Sequence, residues 1–116
     1  YGHQPSVPFK ESAIPQPISP YAITKYAGEL YCQLMQRVEG KFPTAIVRAF
    51  NVFGPYQSSK AVIPELILKC LKGEPVETTK GEQTREFNFV SNIVDGLILV
   101  GDLREELKGP VNLGGA

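Results

Sequence analysis

Apolar residues fall at helical spacing in three stretches of the chain and at strand spacing in four. Ile23, Ala27, Leu30, Leu34 and Val38 recur at three- and four-residue steps, which places them on one helical face. Ser19-Pro20 precedes them as an N-cap followed by proline at the first helical position, and Gly40 supplies a stop. Ile63, Leu66, Ile67, Cys70 and Leu71 mark a second helix, opened by Pro64-Glu65 and ended by Gly73. Ile93, Val94, Leu97, Ile98 and Gly101 mark a third, with Asn92 as its cap. Residues 44–50, 76–79 and 110–113 read as strands, as does the alternation of Phe87 and Phe89 with Glu86 and Asn88. Residues 51–55 break the first of these strands, and Gly81 falls in a turn. Pro5, Pro8, Pro15, Pro17 and Pro20 make residues 1–20 an extended surface loop. Helices alternating with short apolar strands predict an α/β fold.

Charge and composition narrow the class. The 116 residues carry 12 Lys+Arg against 12 Asp+Glu. That balance removes the electrostatic reason to expect a nucleic-acid or anionic-membrane partner. The apolar run at 96–101 is far shorter than the ~18–20 residues a bilayer requires, and no charged-then-apolar leader opens the chain. Cys32 and Cys70 lack the close spacing of a zinc or redox site and read as buried thiols in a reducing compartment. The expectation is a soluble, cytoplasmic protein without a metal site. Tyr1 in place of an initiator Met, and Gly114-Gly115-Ala116 at the other end, suggest an incomplete chain.

The local pattern richest in chemistry is Tyr21-Ala22-Ile23-Thr24-Lys25. Residues four apart on a helix share a face, so the phenol and the ammonium point into the same space. A tyrosine acting as a base near pH 7 must drop about 3 units from ~10, which asks for roughly 4 kcal/mol of differential stabilisation. One lysine in water does not supply that, whereas a lysine and a cationic cofactor in a drier cleft could. Spacing alone also fits an ordinary aromatic and a solvated lysine. Tyr56 and Lys60 repeat it in a loop, where it gives no common face. Arg48, inside an apolar strand, reads as half of a structural ion pair. Arg85 follows a turn and precedes a strand, so it is either a phosphate ligand or a surface arginine. His3, alone in a proline-rich loop, reads as solvated. No glycine-rich nucleotide fingerprint is found among the 11 glycines.

Taken together the strings carry a resemblance. Tyr1-Gly2 comes first, then Pro20-Tyr21-x-x-x-Lys25, then Arg48-x-Phe50-Asn51-Val52-Phe53-Gly54-Pro55. Ile63-Pro64 and Gly81-x-x-x-Arg85-x-Phe87-x-x-Val90 follow in order. This resembles the extended short-chain dehydrogenase/reductase family, specifically its nucleotide-sugar epimerases and dehydratases, over nearly the whole chain. The resemblance implies the second half of a Rossmann-like doubly wound parallel sheet in residues 1–55. Residues 56–116 would be mainly part of a small C-terminal substrate-binding domain.

It also implies roles. Tyr21 would take the proton from the sugar 4-hydroxyl as hydride leaves for NAD (or NADP), and Lys25 would lower the tyrosine's pKa and hold the nicotinamide ribose. Phe50 and Val52 would lie against the cofactor. Asn51, Val62 and Arg85 would hold the nucleotide-diphosphate sugar, Arg85 at the diphosphate. Oxidation at C4 would be followed by 4,6-dehydration or 4-epimerisation. A homodimer in the full-length protein follows from the same resemblance, the Tyr21 helix packing at its interface. Two departures stand out: the glycine-rich fingerprint and the active-site Ser/Thr expected upstream of Tyr1-Gly2 are not in this chain. The isolated 116 residues are therefore expected to be inactive and to bind NAD weakly or not at all, so micromolar binding by calorimetry would contradict the reading. The alternative is a non-catalytic remnant serving as a nucleotide-binding or dimerisation module.

Overall fold

The computed structural model describes residues 1–39, 43–103 and 107–115. Helix α1 spans Pro20–Glu39, strand β1 Val47–Ala49, strand β2 Asn51–Phe53 and helix α2 Val62–Lys72. Strand β3 spans Phe87–Phe89, helix α3 Val90–Asp102 and strand β4 Val111–Leu113. The strands form two parallel pairs. β1 lies beside β4, with Val47 opposite Val111, and β2 lies beside β3, with Asn51 opposite Phe87. β1 and β2 are separated only by Phe50, whose N–H donates to the carbonyl of Leu113 at 3.1 Å. One extended stretch thus changes partner at Phe50, and residues 51–53, read from sequence as a break, continue as strand. Parallel pairs joined through helices are the α/β architecture expected.

The helix ends show which local signals decide structure. Ser19 Oγ accepts the N–H of Ala22 at 3.1 Å, so α1 starts at the predicted cap. Gly73 ends α2 with a φ of 68°, the left-handed conformation glycine adopts without steric cost. α2 itself begins at Val62, two residues before Pro64, and its N-cap residue Ala61 offers no side-chain bond. Asn92 is not a cap: α3 starts at Val90 directly from β3, and Asn92 sits inside its first turn. The predicted stop at Gly40 lies outside the described residues.

Two further expectations are corrected. Residues 76–79 form no strand, because no described strand lies beside them to complete a ladder. β3 is a strand in which Asn88 is buried at 8% exposure while Phe87 and Phe89 stay exposed. Polar partners hold Asn88 inside. Its Nδ2 donates to Glu86 Oε1 at 2.9 Å, and its Oδ1 accepts the N–H of Gly115 at 2.9 Å. Cys70 is exposed and Cys32 half-buried, and both are free thiols.

The interior is small. Ile93 at 7% and Ile46 at 9% are the buried apolar side chains among the described residues. α3 is set close to the strands through Gly96, where a Cβ would come within 2.4 Å of Leu113 Cδ1. The radius of gyration is 17.2 Å, against about 13 Å for a compact domain of this length. The accessible surface is 9468 Å², where a compact fold of this mass exposes about 6,200 Å². The predicted face of α1 accounts for part of the excess: Ile23, Leu30, Leu34 and Val38 all point to solvent. The helix turns its other side, carrying Ala22, Tyr26, Glu29 and Cys32, toward the strand.

Candidate active site

An open cleft of about 900 Å³ runs between α1 and the segment 45–52. α1 contributes Tyr21, Lys25, Glu29 and Cys32, which fall one helical turn apart and so line one face. The strand contributes Arg48, Phe50, Asn51 and Val52, and the N-terminal segment closes one side with Tyr1 and Phe9. The fold therefore brings together five of the seven residues singled out from sequence, namely Tyr21, Lys25, Phe50, Asn51 and Val52.

Tyr21 stands in the first turn of α1 with 71% of its surface exposed. The Lys25 ammonium lies 5.6 Å from the centre of the Tyr21 ring, over its face. Asn51 donates from Nδ2 to the backbone carbonyl of Glu86 at 3.1 Å, which fixes its amide against β3. The carbonyl of Val52 accepts Gln57 Nε2 at 3.1 Å. Phe50 stacks on Tyr1, with centroids 6.2 Å apart and planes at 16°. Val62 and Arg85 are not brought to this cleft. Val62 is exposed in the first turn of α2, and Arg85 is exposed with Nη1 donating to the carbonyl of its neighbour Thr84 at 2.8 Å.

The wall also holds a polar network that sequence reasoning reached only at Arg48. Arg48 grips Glu29 through two bonds, Nε to Oε2 at 2.9 Å and Nη2 to Oε1 at 2.6 Å. These bonds push the guanidinium pKa further up, against a downward pull from burial. Arg48 Nη1 also donates to the Tyr1 hydroxyl at 2.8 Å, and that hydroxyl donates onward to Asn112 Oδ1. Asn112 Nδ2 donates to the carbonyl of Phe9 at 2.8 Å. Glu11 accepts the Asn112 N–H at 3.0 Å, and this bond holds its carboxyl below the usual range. The predicted structural ion pair at Arg48 is therefore present. Glu29 was missed because its partner lies 19 positions away, although its place one turn beyond Lys25 was legible.

Parallel strands, connecting helices and a cleft at the strand edge define a Rossmann-like α/β protein. The sequence matches the NAD dependent epimerase/dehydratase family over residues 1–114, and the chain belongs to that family. It is 35% identical over 107 residues to dTDP-D-glucose 4,6-dehydratase from Homo sapiens, covering 86% of this chain and 29% of that protein. A UDP-N-acetylglucosamine 4-epimerase from Methanobrevibacter ruminantium M1, solved with UDP-N-acetylmuramic acid, superposes with a TM-score of 0.89 at 39% identity. The match covers 98% of this chain and 37% of that one. A UDP-glucuronic acid 4-epimerase from Bacillus cereus, solved with UDP-glucuronic acid and NAD, superposes with a TM-score of 0.86 at 28% identity, again over 98% and 37%. The chain spans about a third of the length of the curated relatives it matches. Relatives of both reaction types are thus found, and the family is NAD-dependent and enzymatic. Among the described residues no helix is long and apolar enough to cross a membrane.

Proposed function

We propose that this chain supplies the Tyr21–Lys25 pair of a nucleotide-sugar 4,6-dehydratase or 4-epimerase whose activity belongs to a longer protein. The observation that carries the reading is the shared cleft: in a member of an NAD-dependent family, Tyr21, Lys25 and the 50–52 wall face the same space. The open mouth and the two exposed polar groups fit the nicotinamide half of NAD (or NADP), with Lys25 at the ribose and Phe50 and Val52 against the ring. When bound, NAD supplies the hydride acceptor and a positive charge. Tyr21 accepts the proton of the sugar 4-hydroxyl, and the Lys25 ammonium stabilises the phenolate that does so.

Asn51, with its amide held by the Glu86 carbonyl, contacts the sugar nucleotide. Val62 and Arg85 lie on the 56–116 side, where Val62 borders the nucleotide and the exposed Arg85 guanidinium pairs with diphosphate. In this reading residues 1–55 are the Rossmann part and 56–116 mainly the substrate part. The apolar stripe Ile23, Leu30, Leu34 and Val38 supports a homodimer of the full-length protein through α1. A cytoplasmic setting accords with nucleotide-sugar substrates. With the cleft this open, the 116 residues alone are inactive.

The test is Tyr21→Phe in the full-length protein, assayed with UDP-glucose and dTDP-glucose and NAD. Turnover is expected to fall by about a hundredfold to ten-thousandfold. Unchanged turnover would overturn the reading and leave a non-catalytic module. Product mass separates the two reactions, since dehydration loses one water and epimerisation loses nothing.

A further inference from the structure

The proposed chemistry uses Tyr21 and Lys25 and leaves the Glu29–Arg48 pair without a part. Tyr21, Lys25 and Glu29 follow one another at single-turn spacing along the cleft face of α1. A carboxylate four residues from a lysine stands at the spacing of a helical ion pair. Closed onto Lys25, Glu29 would oppose the positive charge that a Tyr21 phenolate requires. It is instead engaged elsewhere. Arg48 takes both of its oxygens, at 2.9 and 2.6 Å, and Gln33 Nε2 adds a bond to Oε1 at 3.1 Å. Among the described residues Lys25 makes no ion pair.

Arg48 is fixed in turn. Its Nη1 bonds the Tyr1 hydroxyl and the Glu11 carbonyl, and the Tyr1 ring lies 4.7 Å from its Cζ. The pair is shielded as well, with side-chain exposures of 15% for Arg48 and 10% for Glu29. Other titratable groups around it are accounted for. Tyr1 is locked between Arg48 and Asn112, the Glu11 carboxylate faces the Asn112 N–H, and Tyr26 and Cys32 line the cleft from α1 itself. From the segment 45–52, Arg48 is the titratable side chain in the wall.

We propose that Arg48 is a positioning residue that sequesters the Glu29 carboxylate, leaving the Lys25 charge uncompensated for Tyr21. The inference rests on the Tyr21–Lys25 reading above. It differs from a plain tether of α1 to β1 in one respect: a tether acts through structure, whereas sequestration acts through charge. A released Glu29 carboxylate, two turns from Tyr21, raises the pH at which that phenol ionises.

The measurement is the tyrosinate absorbance of each full-length protein minus that of its Tyr21→Phe counterpart, titrated with base. In Arg48→Met the Tyr21 midpoint is expected to rise by about half a pH unit. Adding Glu29→Gln to Arg48→Met is expected to bring it back. Equal midpoints in the parent and Arg48→Met, or the same displacement in the single and double variants, would overturn the proposal in favour of a tether. Should Arg48→Met fail to fold by circular dichroism, Arg48→Gln and Arg48→Gln/Glu29→Gln take its place, with the midpoint expected to rise in the single variant and return in the double, and any other pattern counting against. Turnover of Tyr21→Phe tests the catalytic reading separately, so the two can fail independently.

Discussion

α1 and α3 are fastened to the strands by opposite chemistry. α3 is set by contact: Ile93 is buried, and the bare Cα of Gly96 lets Leu113 approach the helix. α1 is held by directional bonds, the forked Arg48–Glu29 pair and a bond from Gln36 Nε2 to the carbonyl of Thr44 at 2.8 Å, while its apolar stripe faces outward. Apolar contact is roughly proportional to area and indifferent to rotation, so it gives stability without fixing an angle. A two-pronged ion pair adds little net stability but holds a geometry. The helix held by the fork is the one that bears Tyr21 and Lys25, the pair to which the proposed function assigns the proton transfer.

That contrast can be broken in graded steps. Ile93→Ala should cost about 3 kcal/mol of unfolding free energy, the usual loss for a truncated buried isoleucine, and leave the Tyr21 midpoint alone. Urea denaturation measures the first and the absorbance titration the second. Arg48→Met should cost less, about 2 kcal/mol, mostly from stranding a shielded Glu29 carboxylate. The Glu29→Gln/Arg48→Met pair should recover part of that loss, and an equal or larger loss in the double variant would show that the fork itself stabilises. Leu34→Lys should change stability by less than about 0.5 kcal/mol, because the side chain is already exposed. If α1 forms the homodimer face, sedimentation of the full-length protein should nonetheless shift toward monomer.

The smallest effect belongs to Glu11. Its folded-state pKa is lowered by the Asn112 N–H. Its contribution is therefore present above the unfolded-state pKa and is lost as pH falls through the folded one. Amide exchange at Asn112 should speed up over that acidic range in the parent and stay flat in Glu11→Gln.

Signals that act within a few residues were legible in the sequence. The Ser19 cap, the Gly73 stop and the strands around Phe87 and Val111 all depend on neighbours along the chain. The stripe on α1 was also found, but periodicity reports that a face is apolar and not what it meets. Glu29 and Arg48 determine which side turns inward, and nothing local announces a pair 19 positions apart. Asn92 was misplaced because β3 runs into α3 without an intervening loop, so no cap is needed where it was expected. The alternation around Phe87 announced a strand but not that Asn88 is its buried residue, because the partners that satisfy it, Glu86 and Gly115, become visible only once the chain has folded. For the site, Tyr21–Lys25 spacing was readable within one helix, whereas the cleft that joins the pair to residues 50–52 and Tyr1 is a product of tertiary structure.

The partner change at Phe50 has a consequence for how the chain comes to be made. β1 is completed by β4, and the hydrogen bonds that join Tyr1 and Phe9 to Asn112 span 111 and 103 positions. Contacts of such high order form late, because loop-closure entropy is lost before they give anything back. Between the emergence of Val47 and that of Val111, the edge of β1 that β4 covers has no partner there. A bare edge of that kind invites mispairing with other nascent chains. Folding of this region should therefore depend on chaperone supply more steeply than that of a helical region whose contacts are local.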